Sequence, residues 1–198
     1  MYGNVKSRNW FVTNNKFRLN CKSTRNAYPL ALSAAELMNI FDMGEYRIML
    51  DYGHNPAGFR AIAGLLPGLE AQRYVGIIGM PGDRTDSSIR EAGVVCSKLF
   101  SKIYIKEDKD LRGRNAGEVA DIFYDAVMNA GPDKNNTEII FSELEALNAA
   151  IADARKGDLI VVFYEDYEAL TARIEKLMEE RAESESYELL NQAGSSAS

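Results

Sequence analysis

The chain has 198 residues, 46% hydrophobic and 26% charged, and a formal net charge of −6 at pH 7. That length supports one good-sized domain with its own core, and the composition is that of a soluble globular protein. The longest apolar run, Leu159-Ile-Val-Val-Phe-Tyr164, is too short to cross a bilayer, and one histidine with two distant cysteines argues against a zinc site.

Residues 1–36 stand apart from the rest. Residues 1–35 hold Lys6, Arg8, Lys16, Arg18, Lys22 and Arg25 and no acid, so the −6 of the whole leaves −12 on residues 36–198. Trp10–Thr13 and Lys16–Leu19 flank Asn14-Asn15 and read as a hairpin, which makes this basic segment an appendage or the remnant of a preceding domain. No nucleic-acid motif accompanies the cations, and the acidic remainder opposes phosphate backbones, so nucleic acid is not the expected partner. Residues 1–20 contain no uninterrupted apolar core of a secretion signal. A cytoplasmic protein is expected, with Cys21 and Cys96 as free thiols in preference to a disulfide.

From residue 37 the pattern becomes regular. Leu37–Asp42 and Tyr46–Asp51 are short apolar runs joined by Met43-Gly44-Glu45, a hairpin signal. Four more strand-like runs follow at Tyr74–Gly79, Lys102–Lys106, Glu138–Phe141 and Leu159–Tyr164. Between them lie stripes of helical period: Phe59, Ile62, Ala63 and Leu66; Ile89, Ala92, Gly93 and Cys96; Val119, Ile122, Phe123 and Ala126; Leu144, Leu147 and Ile151; Leu170, Ile174, Leu177 and Met178. Ser142 with Glu145 makes a capping box, Asn115 with Glu118 a near relative of one, and Gly131-Pro132 and Gly157 are read as helix stops. This alternation predicts an α/β fold over residues 37–180: a Rossmann-like three-layer sandwich on a mostly parallel sheet of about six strands, with the N-terminal hairpin strand antiparallel. Residues 181–198 thin into Glu, Ser, Ala and Gln and are expected to form a fraying tail.

In such a sheet, ligands bind outside the carboxyl ends of the strands. Three polar clusters fall there. In the first, Asp51-Tyr-Gly-His-Asn-Pro56, Asn55 and Pro56 suit an ordinary helix start, but the chain's only histidine, His54, stands beside them. The second is Gly79-Met-Pro-Gly-Asp-Arg-Thr-Asp86. Gly79 and Gly82 allow close backbone approach, Thr85 or Asp86 can cap the next helix, and Asp83 is either structural or functional. It lacks the G-x-G-x-x-G order of a dinucleotide turn. The third, Lys106-Glu-Asp-Lys-Asp-Leu-Arg-Gly-Arg114, is either a solvated charged face or a site for a zwitterion. In the second reading arginines would meet a carboxylate and the acids a cationic side chain.

Together these stretches resemble the C-terminal domain of the Mur ligase superfamily, most of all its cyanophycin synthetase branch. The resemblance rests on Asn39–Pro56, with its Asp-Tyr-Gly-His-Asn-Pro motif, on Gly79-Met-Pro-Gly-Asp-Arg84, and on Lys106–Arg114. It implies part of an ATP-dependent ligase that joins an amino acid to an acid through an amide bond. The last domain would close the nucleotide site and position the incoming amino acid. By resemblance, Asp51, His54 and Asn55 would lie near the nucleotide. Arg84, Arg112 and Arg114 are candidates for the amino acid's carboxylate, and Glu107 and Asp108 for a guanidinium, with Gly79, Gly82 and Asp83 in the surrounding loop. ATP and magnesium would serve the full-length enzyme. Neither is expected to bind tightly here, because no G-x-x-x-x-G-K-[ST] phosphate loop occurs in the chain. A central ATP-binding domain, a small amino acid such as arginine, and a second copy of the chain are the implied partners. The alternative is a non-catalytic module derived from that domain, binding a small molecule or a protein.

Overall fold

A computed structural model describes residues 39–130 and 136–195. The expected Trp10–Leu19 hairpin, Leu37 and Met38 of the first strand, Cys21, and the Gly131-Pro132 stop lie outside them. Among the described residues six strands form one sheet: β1 (Asn39–Asp42), β2 (Arg47–Asp51), β3 (Arg73–Ile78), β4 (Lys102–Ile105), β5 (Thr137–Ile139) and β6 (Asp158–Phe163). Their order is β1-β2-β6-β3-β4-β5, with β1 antiparallel to β2 and every other pair parallel. The β1–β2 hairpin closes through Met43 N–H on the Tyr46 carbonyl at 2.9 Å, with Gly44 at φ +80.

Five helices cover the sheet: α1 (Pro56–Leu65, continued by a 3-10 turn over Leu66–Leu69), α2 (Asp86–Leu99), α3 (Glu118–Ala130), α4 (Glu143–Ala152) and α5 (Tyr167–Ser195). Strand residues alternate between two cores, as period-two side chains must when a sheet is buried on both faces. Met49, Leu159, Val161 and Phe163 pack with Phe59, Ile89, Cys96 and Phe123 of α1–α3. Ile48, Leu50, Ile160 and Val162 pack with Ala146, Leu147, Leu170 and Ile174 of α4 and α5. Cys96 is a free, buried thiol.

The crossovers explain this division. The chain moves outward from β2 to β5 with its connecting helices on one face. It then returns to insert β6 between β2 and β3, and the returning helix α4 occupies the other face, as a constant crossover hand demands. Helices diverge to opposite faces around β6, which opens a crevice at the carboxyl ends of the strands.

Local signals set the helix starts. Asn55 is extended, its Oδ1 accepts from Gly58 N–H at 2.9 Å, and Pro56 takes the first helical position. Thr85 caps α2 through Ser88 N–H at 3.3 Å, and Ser142 caps α4 through Glu145 N–H at 3.3 Å. Two ends differ from expectation. Gly157 does not stop α4, which ends at Ala152 with Asp153 as its cap. It lies instead in the turn entering β6, at φ +84, where a Cβ would stand 2.8 Å from the Gln72 side chain. α5 continues to Ser195, well past the last apolar stripe residue, Met178. The Glu- and Ala-rich sequence beyond it has good helix propensity of its own.

Candidate functional site

Four turns line one cavity of about 220 Å³ at the carboxyl ends of the strands. Tyr52 and His54 come from the turn after β2, and Pro81 and Arg84 from the turn after β3. Asp108, Asp110 and Arg112 follow β4, and Tyr164 and Glu165 follow β6. The three polar clusters of the sequence thus share one rim. The fourth turn, Tyr164-Glu165-Asp166, was missed, because its tyrosine read as the end of an apolar strand.

The first turn is shaped by its own backbone. Asp51 is buried, and its Oδ1 accepts from Gly53 N–H at 2.6 Å. Burial pushes this carboxyl above its ordinary value, with the Gly53 bond opposing. His54 Nδ1 donates to the Tyr52 carbonyl at 2.9 Å; since a carbonyl only accepts, the neutral ring keeps Nε2 as an acceptor. Asp51 and Asn55 do not line the cavity. The first folds the turn, and the second caps α1.

The Asp51 carboxyl yields a pH test. A folded-state value above the unfolded one means the buried carboxylate costs stability at neutral pH, and the cost is relieved as pH falls through the folded-state value. Asp51→Asn keeps an Oδ1 acceptor for Gly53 and removes the buried charge. The variant should match or exceed the parent at pH 7, and its advantage should shrink as the pH drops towards 4. Urea denaturation at the two pH values checks this; a variant less stable at pH 7 would contradict it.

The second and third turns are laced together. Arg114 donates from Nε to the Gly82 carbonyl (2.7 Å), from Nη1 to Glu118 (2.7 Å), and from Nη2 to both the Arg84 carbonyl (2.6 Å) and Asp86 (2.8 Å). Its guanidinium is committed to holding the two turns, so it lies outside the cavity and is not free for a substrate carboxylate. Glu107 is likewise outside: its Oε2 accepts from Gly117 N–H at 2.8 Å, tying the third turn to the approach of α3. Gly82 lets the turns meet, since a Cβ there would overlap the Leu111 carbonyl oxygen. Gly79 faces Lys106 closely instead of the cavity.

Three candidates remain at the cavity wall from these turns. Arg112 donates from Nη1 to Asp83 at 2.8 Å, and this guanidinium holds the Asp83 carboxyl below its ordinary range. Arg84 is different. Its Nε has no hydrogen-bond partner, and Asp83 is 3.9 Å away. Asp108 pairs with the buried Lys106 at 2.7 Å. Across the cavity, Glu165 accepts from Lys109 N–H at 3.1 Å, and Lys109 Nζ pairs with Asp166 at 2.8 Å, so the fourth turn is latched to the third. Tyr52 links the rings of His54 (centroids 4.9 Å) and Tyr164 (5.5 Å). Burial, then the nearby Asp51, push the Tyr164 phenol up and keep it a neutral donor. The cavity wall therefore carries the Arg84 guanidinium, loosely paired with Asp83 at 3.9 Å, together with Arg112, three carboxylates and two tyrosines. Among the described residues no three His, Cys, Asp or Glu side chains are placed to share a metal ion.

Residues 38–163 match the family described as Mur ligase, glutamate ligase domain. The chain belongs to the Mur ligase family as its C-terminal domain. Among relatives, cyanophycin synthetase from Synechocystis sp. is 41% identical over 128 residues, 65% of this chain and 14% of that protein. Cyanophycin synthetase from Geminocystis herdmanii is 36% identical over 155 residues, 78% of this chain and 18% of that one. The chain thus spans less than a fifth of these relatives' length. The fold agrees with solved Mur ligases: a murein peptide ligase from Psychrobacter arcticus superposes with a TM-score of 0.54 at 17% identity, over 72% of this chain and 29% of the other. The resemblance read from the sequence and the α/β architecture with its antiparallel hairpin strand both hold in this Mur ligase domain.

Proposed function

We propose that this Mur ligase domain serves an ATP-dependent amide ligase of the cyanophycin synthetase type, in the cytoplasm, by positioning the incoming amino acid and helping to close the nucleotide site against a central domain. The observation that carries the reading is one small cavity lined by both arginines and carboxylates. Arg84, whose Nε makes no hydrogen bond and whose pairing with Asp83 is a loose 3.9 Å, offers a guanidinium for a carboxylate, while Asp108, Asp110 and Glu165 offer anions for a cationic side chain. A volume below the roughly 300–1,000 Å³ of drug-sized sites suits an amino acid better than a nucleotide. ATP with magnesium does not fit the residues of this chain alone: it has no phosphate loop, and the cavity's acids oppose a triphosphate. The family's phosphoryl chemistry would belong to the partner domain, and His54 Nε2 is the group here best placed to meet it from the rim.

Arginine, whose side chain is a guanidinium, is the expected ligand. Arg84→Ala should weaken arginine binding by about 1.5–3 kcal/mol, roughly ten- to a hundredfold, the worth of a charge-assisted hydrogen bond. It should leave agmatine, which lacks the carboxylate, unaffected. Calorimetric titration of both ligands into the parent and the variant decides this. Equal loss for the two ligands, or no loss for either, would overturn the assignment of Arg84.

A further inference from the structure

The lysine of the third turn does not behave as a member of a solvated charge run. Lys106 is 2% exposed and ranks with Phe59, Phe123 and Phe163 among the largest fully buried side chains. Its backbone N–H continues the sheet by donating to the Ile78 carbonyl at 2.8 Å. Its stem fills the space at Gly79, where a Cβ would stand 2.7 Å from Lys106 Cε, 2.9 Å from its Cδ and 2.9 Å from its carbonyl oxygen. Its ammonium ends on Asp108 Oδ1 at 2.7 Å. Asp108 is itself an 11%-exposed side chain on the cavity wall. Among the described residues its second oxygen takes no hydrogen bond from the protein.

Stability alone does not account for this arrangement. Replacing a buried ion pair by apolar residues of similar volume is commonly neutral or stabilising, because each charge loses its hydration on burial. The chain nevertheless places a lysine under the cavity, and a glycine beside it to make room. We infer that Lys106 is a positioning residue. Its ammonium pins one oxygen of Asp108, so that the other is presented to the cavity as a fixed, charged receptor for a ligand's cationic group. The inference deepens the proposed amino-acid site and rests on that reading for the identity of the natural ligand. The Tyr52 and Tyr164 rings border the same cavity, and a planar guanidinium stacks on such faces better than an ammonium does.

The test uses the full chain and two NMR readouts. The first needs no ligand: a buried, paired lysine ammonium gives a slowly exchanging 15N signal that surface lysines do not. One such signal is expected in the parent, absent in Lys106→Met and displaced in Asp108→Asn. The second uses guanidinium ion and methylammonium as probes, followed at the Asp108 carboxyl carbon. Guanidinium should perturb that carbon saturably in the parent, more strongly than methylammonium, and more weakly in Lys106→Met, whose Asp108 carboxylate is no longer pinned in place. Lys106→Met is close in shape to the lysine stem, and its thermal midpoint should stay near the parent's. If it fails to fold, Lys106→Leu takes its place in the same titration. No protected ammonium, no response at Asp108, or an equal response in Lys106→Met would overturn the inference. A normal guanidinium response without tighter binding of arginine would instead sink the zwitterion reading and leave the Lys106–Asp108 post standing.

Discussion

Asp158→Ala is expected to lower the unfolding free energy by about 3–5 kcal/mol, the cost of leaving a buried ion-pair partner uncompensated. Asp158 opens β6 with 1% exposure and sits in register with Arg73, which opens β3. Arg73 donates to it from Nη2 at 2.7 Å and from Nε at 3.1 Å, and the same guanidinium reaches the Asp153 carboxylate at 3.0 Å and the Asp153 carbonyl at 2.8 Å. Arg155 N–H adds a further bond to Asp158 at 2.8 Å. One carboxylate thus joins the turn leaving α4 to the amino ends of the two central strands. Its loss leaves an arginine with only Asp153 to answer it, and a backbone donor without its acceptor. For a chain of this size the thermal midpoint should fall by roughly 10 °C or more. A double variant, Arg73→Leu with Asp158→Leu, should recover most of the loss, because it removes both charges together. Thermal unfolding of the three proteins checks the order, and a single variant within about 1 kcal/mol of the parent would refute it. Asp158 lies at the end of β6 opposite Tyr164, so ligand affinity in the folded variant should be unchanged.

The same pair shows what the sequence could and could not convey. Strands and helices were legible because each carries its own period and caps. The alternation of β6 between two cores, and the Asn55, Thr85 and Ser142 caps, are local properties. The insertion of β6 between β2 and β3 is not local. It depends on a return crossover, and with it go the Arg73–Asp158 pairing and the placing of Tyr164 and Glu165 beside Tyr52. Motif spacing put Arg84, Arg112 and Arg114 together on one rim but could not say which guanidinium had its partners already. Arg114 is claimed by four acceptors, Arg112 by Asp83, and Arg84 by none within hydrogen-bonding distance of its Nε. Charge runs mislead in the same way. Lys106 and Lys109 are three positions apart, yet one is buried under the cavity and the other is on the surface holding Asp166.

Phe163→Ala should cost a further about 3–5 kcal/mol in its own right, by lost transfer energy and by the cavity left behind. The ring ends β6 at 1% exposure, 4.1 Å between centroids from Phe59 and 6.4 Å, edge-on, from Phe100. α1, α2 and the sheet all meet on it, so the surrounding side chains have little room to collapse. Its effect should also reach the cavity. A Cβ added at Gly53 would stand 3.0 Å from Phe163 Cδ1 and 2.7 Å from Asp51 Oδ1, so the ring forms the floor beneath the turn that carries Tyr52 and His54. Without that floor the turn loses its packing partner, while the Asp51–Gly53 bond survives. Phe163→Leu, which keeps most of the volume, should cost about 1.5 kcal/mol or less and leave the turn in place. Denaturation curves for the two variants, together with the His54 ring signals at a temperature where both are folded, separate the two effects. The alanine variant should broaden or displace the His54 resonances, and the leucine variant should not. An alanine variant that loses stability but keeps parent-like His54 signals would show that the first turn holds its shape by backbone bonds alone, and would break the proposed link between the aromatic core and the cavity rim.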